Sequence, residues 1–317
     1  MEDLILKAIS QFTLISKGDT VTVALSGGAD SVSLLFALLK LKSELGITVN
    51  AAHLNHGIRG EEADCDQKFV ENLCKDLNVE LFVEKADVPK FAKENHLSIE
   101  LAARQVRYEF LERVAVGKVA TAHTASDNLE TMIFNFTRGT SLKGLCGIPA
   151  KRGIFIRPII FCTRQNVEEY CKQNNLSFVT DSTNLCDEYS RNKIRHNVVP
   201  ILKQINPSLE LAATRMALSF NDDNEFFENN ALEILFKSID ENGLFIDDFD
   251  NISPAVAKRV LKKYFETEFS DITLDNRHIT DIYSICLEKK GKINLPSDLY
   301  AKVENGILKF FYLQDQK

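Results

Sequence analysis

The chain has 317 residues, 44% hydrophobic and 26% charged, with a formal net charge of -7, which is the balance of a globular protein with room for two domains. No run approaches the ~20 apolar residues that span a bilayer, the opening MEDLILKAIS has acids where an export signal has bases, and the seven cysteines are scattered. These features argue against a membrane protein and a disulfide framework, and a cytoplasmic chain is expected.

Taken in chain order, the first 200 residues alternate strand and helix patterns. Strands are expected at Val21 to Leu25, Ile47 to Leu54, Val79 to Val83, Lys118 to Ala122 and Phe178 to Thr180. Between them, helical periodicity covers Val32 to Leu45, Asp64 to Leu77, Ser98 to Val116, Asp127 to Thr137 and Arg164 to Gln173. Such interleaving implies right-handed βαβ units, hence an α/β fold on a parallel, Rossmann-like sheet. Ligands in such sheets bind beyond the carboxyl ends of the strands. After Pro200 the pattern changes. A helical stretch from Leu209 to Lys237 is interrupted by the polar run Asn221 to Asn224. A strand-like piece follows from Gly243, then a basic helix from Pro254 to Phe265, a helix from Asp275 to Leu287, and two short strands ending at Phe310. The expected division is a catalytic domain over 1–208, a helical linker over 209–240 and a small α+β domain over 241–317.

The segment Ser26-Gly27-Gly28-Ala29-Asp30-Ser31 follows a buried-type strand and opens a helix. Two glycines allow a sharp turn with N–H groups close to an anion, and the helix start adds partial positive charge. The serines supply donors to phosphate oxygens, and Asp30 is suited to hold Mg²⁺ on them. A Walker-type lysine is absent. A plain helix cap would explain two glycines; the full string favours a nucleotide site.

That string resembles the SGGxDS signature of the N-type ATP pyrophosphatases, and further segments narrow the resemblance to the tRNA(Ile)-lysidine synthetases. His53-Leu54-Asn55-His56-Gly57-Ile58-Arg59-Gly60 is similar to their HxNHxLRG, and Ser98 to Tyr108 to their SxExxARxxRY helix. Arg138-Gly139 with Gly144-Leu145 and Gly147 resembles their RGxxxxGLxG turn. Asp181 to Asn184 and Arg191 to Arg195 resemble their DPSN and RNxIR elements, and Lys292 to Pro296 is similar to part of their small C-terminal domain. One motif departs from the pattern: where the family shows AHHxDDQxET, this chain has Thr124, Ser126 and Asn128 at three positions, while His123, Asp127, Glu130 and Thr131 remain.

The resemblance implies an ATP-pyrophosphatase catalytic domain, ATP and Mg²⁺ as cofactors, and L-lysine and tRNA(Ile) with a CAU anticodon as partners. It implies ligation of lysine to C2 of the wobble cytidine through an adenylated intermediate, releasing pyrophosphate and AMP. It also implies nucleotide contacts from Ser26 to Ser31, His53 and Asn55, with Asp30, Arg104, His123, Asp127, Glu130 and Arg191 as catalytic residues. Each has a plainer reading. Glu100 and Arg104 at i, i+4 would form a surface ion pair worth ~0.3–0.5 kcal/mol, and acids at 127 and 130 complement a helix dipole. His53 and His56 alone are too few ligands for a zinc site. Asp127 is the first choice and Glu130 the second for the carboxylate that orients or deprotonates lysine.

Two basic clusters offer polyanion contacts despite the acidic sum. One comprises Arg191, Lys193, Arg195 and His196; the other is the stripe Lys258, Arg259, Lys262 and Lys263, expected to hold tRNA outside its anticodon loop. Rival readings are a tRNA thiolase, disfavoured by the absence of CxxC pairs, and a nucleotide-binding RNA-recognition protein without catalysis. A homodimer is left open.

Overall fold

The computed structural model describes residues 1–180 and 190–316. The chain divides into two compact units, Met1–Leu218 and Ser219–Lys317. Among the described residues no helix is long and apolar enough to cross a membrane.

The first unit opens with α1 (Glu2–Phe12), then β1 (Thr20–Ala24), α2 (Ala29–Leu45), β2 (Thr48–Asn55), α3 (Glu61–Asp76) and β3 (Leu81–Lys85). Next come α4 (Val88–Glu94), α5 (Ile99–Val114), β4 (Lys118–Ala120), α6 (Ala125–Thr137), α7 (Leu142–Leu145), β5 (Lys151–Arg152), β6 (Phe155–Ile156) and α8 (Arg164–Gln173). The sheet order is β3-β2-β1-β4-β6-β5. All neighbours are parallel except the β5–β6 hairpin. The chain steps outward from β1 through β2 to β3, then returns to lay β4 on the other side of β1. That reversal opens a crevice at the carboxyl ends of β1 and β4, the place where such sheets receive ligands.

Burial explains why these segments take these forms. Val21 and Val23 of β1 and Leu34, Leu35 and Leu38 of α2 are fully buried, together with Ile5 of α1 and Ile156 of β6. A buried leucine contributes ~1.5–3 kcal/mol by transfer from water. Gly46 ends α2 in the left-handed region at φ 63°, a conformation that costs a side-chain-bearing residue more.

Three expectations need correction. Residues 178–180 are not a strand; the neighbour of β4 is β6, whose two-residue span is too short to show alternation. Val179 instead donates its N–H to the Gly27 carbonyl at 3.0 Å. The third strand begins at Leu81, because Val79 is spent closing the turn onto Cys74. The polar run 221–224 does not interrupt the long helix: α11 is continuous over Leu209–Ser238, since asparagine and aspartate cost only a few tenths of a kcal/mol each in an exposed helix. Before it lie α9 (Ser190–Lys193), a π-turn over Ile194–Val198 and α10 (Val199–Ile205).

The second unit carries β7 (Ile239–Asp240), β8 (Gly243–Phe245), α12 (Pro254–Glu268), α13 (Asn276–Leu287), β9 (Gly291–Leu295), β10 (Leu299–Glu304) and β11 (Ile307–Tyr312). Its antiparallel sheet runs β7-β8-β11-β10-β9. Three C-terminal strands form where two were expected. The hidden turn is Pro296-Ser297-Asp298, whose last two residues take φ of 60° and 56° without a glycine to announce them. Val260 and Leu261 of α12 pack inward with Phe265, Ile282 and Leu308. The opposite face is not the open basic stripe expected. Arg259 and Lys263 both pair with Glu228, at 3.4 and 2.5 Å, so two of its four cations share one internal acid.

Candidate active site

The glycine loop is built by its own short-range bonds. Ser31 Oγ donates to the Gly28 carbonyl at 3.0 Å and accepts from the Ser26 N–H at 3.2 Å, and the two serine hydroxyls meet at 3.1 Å. Gly27 sits at φ +91°, and a Cβ there would meet Val179 Cγ2 at 2.9 Å. Gly28 caps α2, whose first-turn N–H groups at Ala29, Asp30 and Ser31 have no acceptor within the helix. Ser26 to Ser31 are thus brought together as an anion cradle at the carboxyl end of β1.

Asp30 projects from the first turn of α2 into a field of charges. Burial pushes its carboxyl pKa up to about 6, with Asp127 and Glu130 adding to the rise and Arg164 and Arg195 opposing it. Three carboxylates therefore share the crevice between β1 and β4. Among the described residues no three His, Cys, Asp or Glu side chains are placed to enclose a metal. A Mg²⁺ here would need nucleotide phosphates and water to complete its shell around Asp30, as this hard cation commonly does.

Asp127 and Glu130 share a face of α6, and Arg195 lies on it. Its Nε donates to Glu130 Oε1 at 2.7 Å, while Nη2 donates to Glu130 Oε2 at 2.9 Å and to Asp127 Oδ1 at 3.3 Å. Burial opposes the guanidinium charge, but the hydrogen bond and charge of Glu130 outweigh it and raise its pKa. Asp127 is committed a second time: its Oδ2 accepts the Thr124 N–H at 2.8 Å while Thr124 Oγ1 accepts the Asp127 N–H, a reciprocal cap on α6. The carboxylates expected to hold a free ammonium thus already hold an internal cation. Arg191 is exposed on α9, the short helix just before the π-turn, which packs against α6.

The three positions that depart from the family pattern have structural tasks. Thr124 caps α6. Ser126 donates to Glu210 at 2.9 Å and accepts the Arg164 N–H at 3.0 Å. Asn128 accepts the Ile148 N–H at 2.6 Å, fastening the turn that contains Gly147.

His53, His56 and His123 all favour the neutral form. His53 Nδ1 donates to the Leu25 carbonyl at 2.8 Å, which leaves Nε2 as an acceptor, buried and without a partner. Burial lowers its pKa, and lowers that of His56 to about 4 with help from Arg107. Burial takes His123 down to about 4 as well; Asp127 opposes this, and Arg157, Arg107 and Arg104 reinforce it. Its Nδ1 meets Thr121 Oγ1 at 3.0 Å. Asn55, expected on the nucleotide, is occupied internally. Its amide donates to Asp64 and Gln67 and its oxygen accepts the Gly57 N–H, so it shapes the turn that carries His56. Arg104 makes no ion pair with Glu100 among the described residues; its guanidinium lies 4.9 Å from the Tyr108 ring centroid.

Sequence reasoning missed Arg164, at the start of α8 beside Asp30, and Arg157, which is 3% exposed. It grouped Arg195 with Arg191 on one face without seeing its inward turn. No local signal marks the first two, because each reaches the site from a distant segment. The Asp181 to Asn184 element lies outside the described residues.

Comparisons with known proteins agree with this geometry. The PP-loop domain model matches residues 1–202. The tRNA(Ile)-lysidine synthase of Clostridium perfringens is 39% identical over 330 residues, covering 100% of this chain and 70% of that protein. That of Clostridioides difficile is 39% identical over 325 residues, covering 96% and 70%. Among solved structures, the U34-tRNA thiolase NcsA of Methanococcus maripaludis superposes with a TM-score of 0.56 at 16% identity, over 69% of this chain and 77% of that one, a likeness of fold alone. With the glycine loop at the switch point, the acids of α6 beside it and relatives that match nearly all of this chain, the chain belongs to the tRNA(Ile)-lysidine synthase family of ATP-using PP-loop proteins.

Proposed function

We propose that the chain joins L-lysine to C2 of the wobble cytidine in tRNA(Ile) bearing a CAU anticodon, converting ATP to AMP and pyrophosphate with Mg²⁺. The observation that carries this reading is the convergence of an anion cradle and three carboxylates, Asp30, Asp127 and Glu130, in one crevice. The cradle from Ser26 to Ser31 holds phosphates, and Asp30 holds Mg²⁺ on them. In the first step the cytidine C2 oxygen attacks the α-phosphorus and pyrophosphate leaves. In the second the lysine ε-amine attacks C2 and AMP leaves with the oxygen. Phosphoryl transfer depends mainly on positioning and charge neutralisation, which Arg164, Arg104 and the helix start supply. Neutral His123 beside Asp127 is suited to orient a polar group without adding charge.

The amine, with a free pKa of ~10.4, must lose a proton before it attacks. Asp127 and Glu130 are the acceptors in reach of the crevice, and Arg195 occupies the place an ammonium would take. Lysine therefore binds by displacing or sharing that guanidinium. Residues 241–317 are proposed to hold tRNA away from the anticodon, through Lys258 rather than the whole α12 stripe. Lys258 is the member whose ammonium meets a hydroxyl, Thr280 Oγ1 at 3.1 Å, instead of a carboxylate.

The test is incubation with ATP, Mg²⁺, isotopic lysine and bulk tRNA. Label is expected in the RNA, with one pyrophosphate per lysine incorporated. Pyrophosphate release without label would overturn the ligation.

A further inference from the structure

Four arginines gather around one tyrosine beside the site. Tyr108 of α5 packs edge-on against Phe155 of β6, with ring centroids 4.7 Å apart. The guanidinium carbons of Arg104, Arg152 and Arg107 lie 4.9, 5.0 and 5.9 Å from its centroid. Arg157, after β6, lies close enough to the same side chain for Tyr108 to favour its charge, and it donates to the Pro149 carbonyl at 2.6 Å, while its buried Nε has no partner. Cations this close repel one another, and among the described residues none of the four makes an ion pair with a carboxylate. Elsewhere in the unit the comparison is plain: Arg195, Arg59 and Arg113 each hold an acid at 2.6 to 2.9 Å. A cluster of uncompensated guanidiniums is built for an anion that the protein does not itself supply.

The cluster also has a direction. Arg157, Arg107 and Arg104 lie near enough to His123 to depress its protonation, so one end faces the crevice. Arg152, at the other end, borders an open cleft of about 480 Å³ with Glu112, Gly153, Ile154 and Phe155. A single phosphate would satisfy one guanidinium pair. Cations spaced from the crevice to an outer cleft fit successive phosphates of a strand.

We propose that Arg107 and Arg152 clamp the backbone phosphates of the single-stranded RNA segment flanking the reacting base, and that Tyr108 is the positioning residue that gathers them beside Arg104. This rests on the ligation reading above and adds the path of the substrate away from the reacting base. Ring faces hold guanidiniums by cation–π attraction, and planar guanidiniums then present paired donors to phosphate oxygens. Such contacts set register and affinity rather than base choice.

The experiment is the dissociation constant of the substrate tRNA transcript at several KCl concentrations, for wild type, Arg152→Gln, Tyr108→Phe and Tyr108→Leu. ATP affinity and the thermal midpoint are measured alongside. Each lost contact to a single strand should lower the log–log salt slope by ~0.7, so the wild-type advantage over Arg152→Gln shrinks about 2.6-fold across a fourfold rise in salt. Tyr108→Leu should lose more slope than Arg152→Gln, and Tyr108→Phe, which keeps the ring, should retain most of it. Arg152→Gln should keep the wild-type ATP affinity. Wild type that binds no tRNA at any salt overturns the ligation reading and the clamp with it. Wild type that binds while Arg152→Gln keeps the full slope overturns the clamp alone. Should Tyr108→Leu unfold, the exposed Arg152 still decides.

Discussion

Removing the guanidinium from Arg195 tests whether α6 and the π-turn are held by charge. In Arg195→Ala, Glu130 loses both short hydrogen bonds, 2.7 and 2.9 Å, and Asp127 loses its contact at 3.3 Å. Glu130 is only 5% exposed, so water cannot replace the lost partner, and its charge is stranded beside Asp127 and Asp30. Breaking a buried pair in this way costs ~3–5 kcal/mol; with Arg195 itself 21% exposed, the lower end, ~3 kcal/mol, applies. At ~2–4 °C per kcal/mol for a unit of this size, the thermal midpoint of the first unit should fall by ~6–12 °C. Adding Glu130→Gln should then recover at least half of the loss, because it removes the stranded charge, although the same change alone destabilises the wild type. Free L-lysine should raise the midpoint of Arg195→Ala more than that of wild type, its ammonium entering the vacated place. Circular dichroism melts of the four proteins, with and without lysine, give the full cycle. A drop below ~2 °C, or a Glu130→Gln loss that adds to that of Arg195→Ala, would refute the reasoning.

Three further outcomes are expected. Asp30 has a folded pKa raised to about 6, so its neutral form is favoured: its contribution to stability without ligand falls as pH rises from ~4 to 6. Affinity for Mg²⁺-ATP should climb up to tenfold per pH unit over that range and then level, and calorimetry on Asp30→Asn should show weak binding with no such rise. Thr124→Ala removes the reciprocal cap on α6 and should cost ~1 kcal/mol, read by denaturant midpoint; a cost under ~0.3 kcal/mol would mean Asp127 alone caps the helix. Reversing Arg259 and Lys263 to glutamate sets three acids together around Glu228, so the second unit should melt earlier, while the salt slope of tRNA binding changes by less than one contact.

What could be read from sequence follows the range of the forces. The glycine loop is made by neighbours within Ser26 to Ser31, so its chemistry is written in consecutive letters, and its place after β1 follows from alternation. The acids at 127 and 130 were legible as a pair because a helix fixes their spacing. Their occupation by Arg195 was not, because the π-turn over Ile194–Val198 interrupts the regular α-helical rotation from which a shared face with Arg191 would follow. Arg157 and Arg164 reach the crevice through strand pairing and tertiary packing that no local pattern encodes. The roles of Ser126 and Asn128 likewise depend on partners, Glu210 and Ile148, far along the chain.

The sheet ends at β5, a strand of only two residues, Lys151 and Arg152, both exposed. An outer strand with free N–H and C=O groups invites another chain to add to it, and shortness with positive charge is a common deterrent. The cations at this edge thus bear on how the protein behaves at high concentration and during folding, apart from any ligand. Lys151 supplies that protection without lying over Tyr108, so neutralising it should promote self-association while leaving RNA affinity nearly intact, and neutralising Arg152 should do both. Cations on the margin of a sheet serve to keep copies of the chain apart, whatever else they hold.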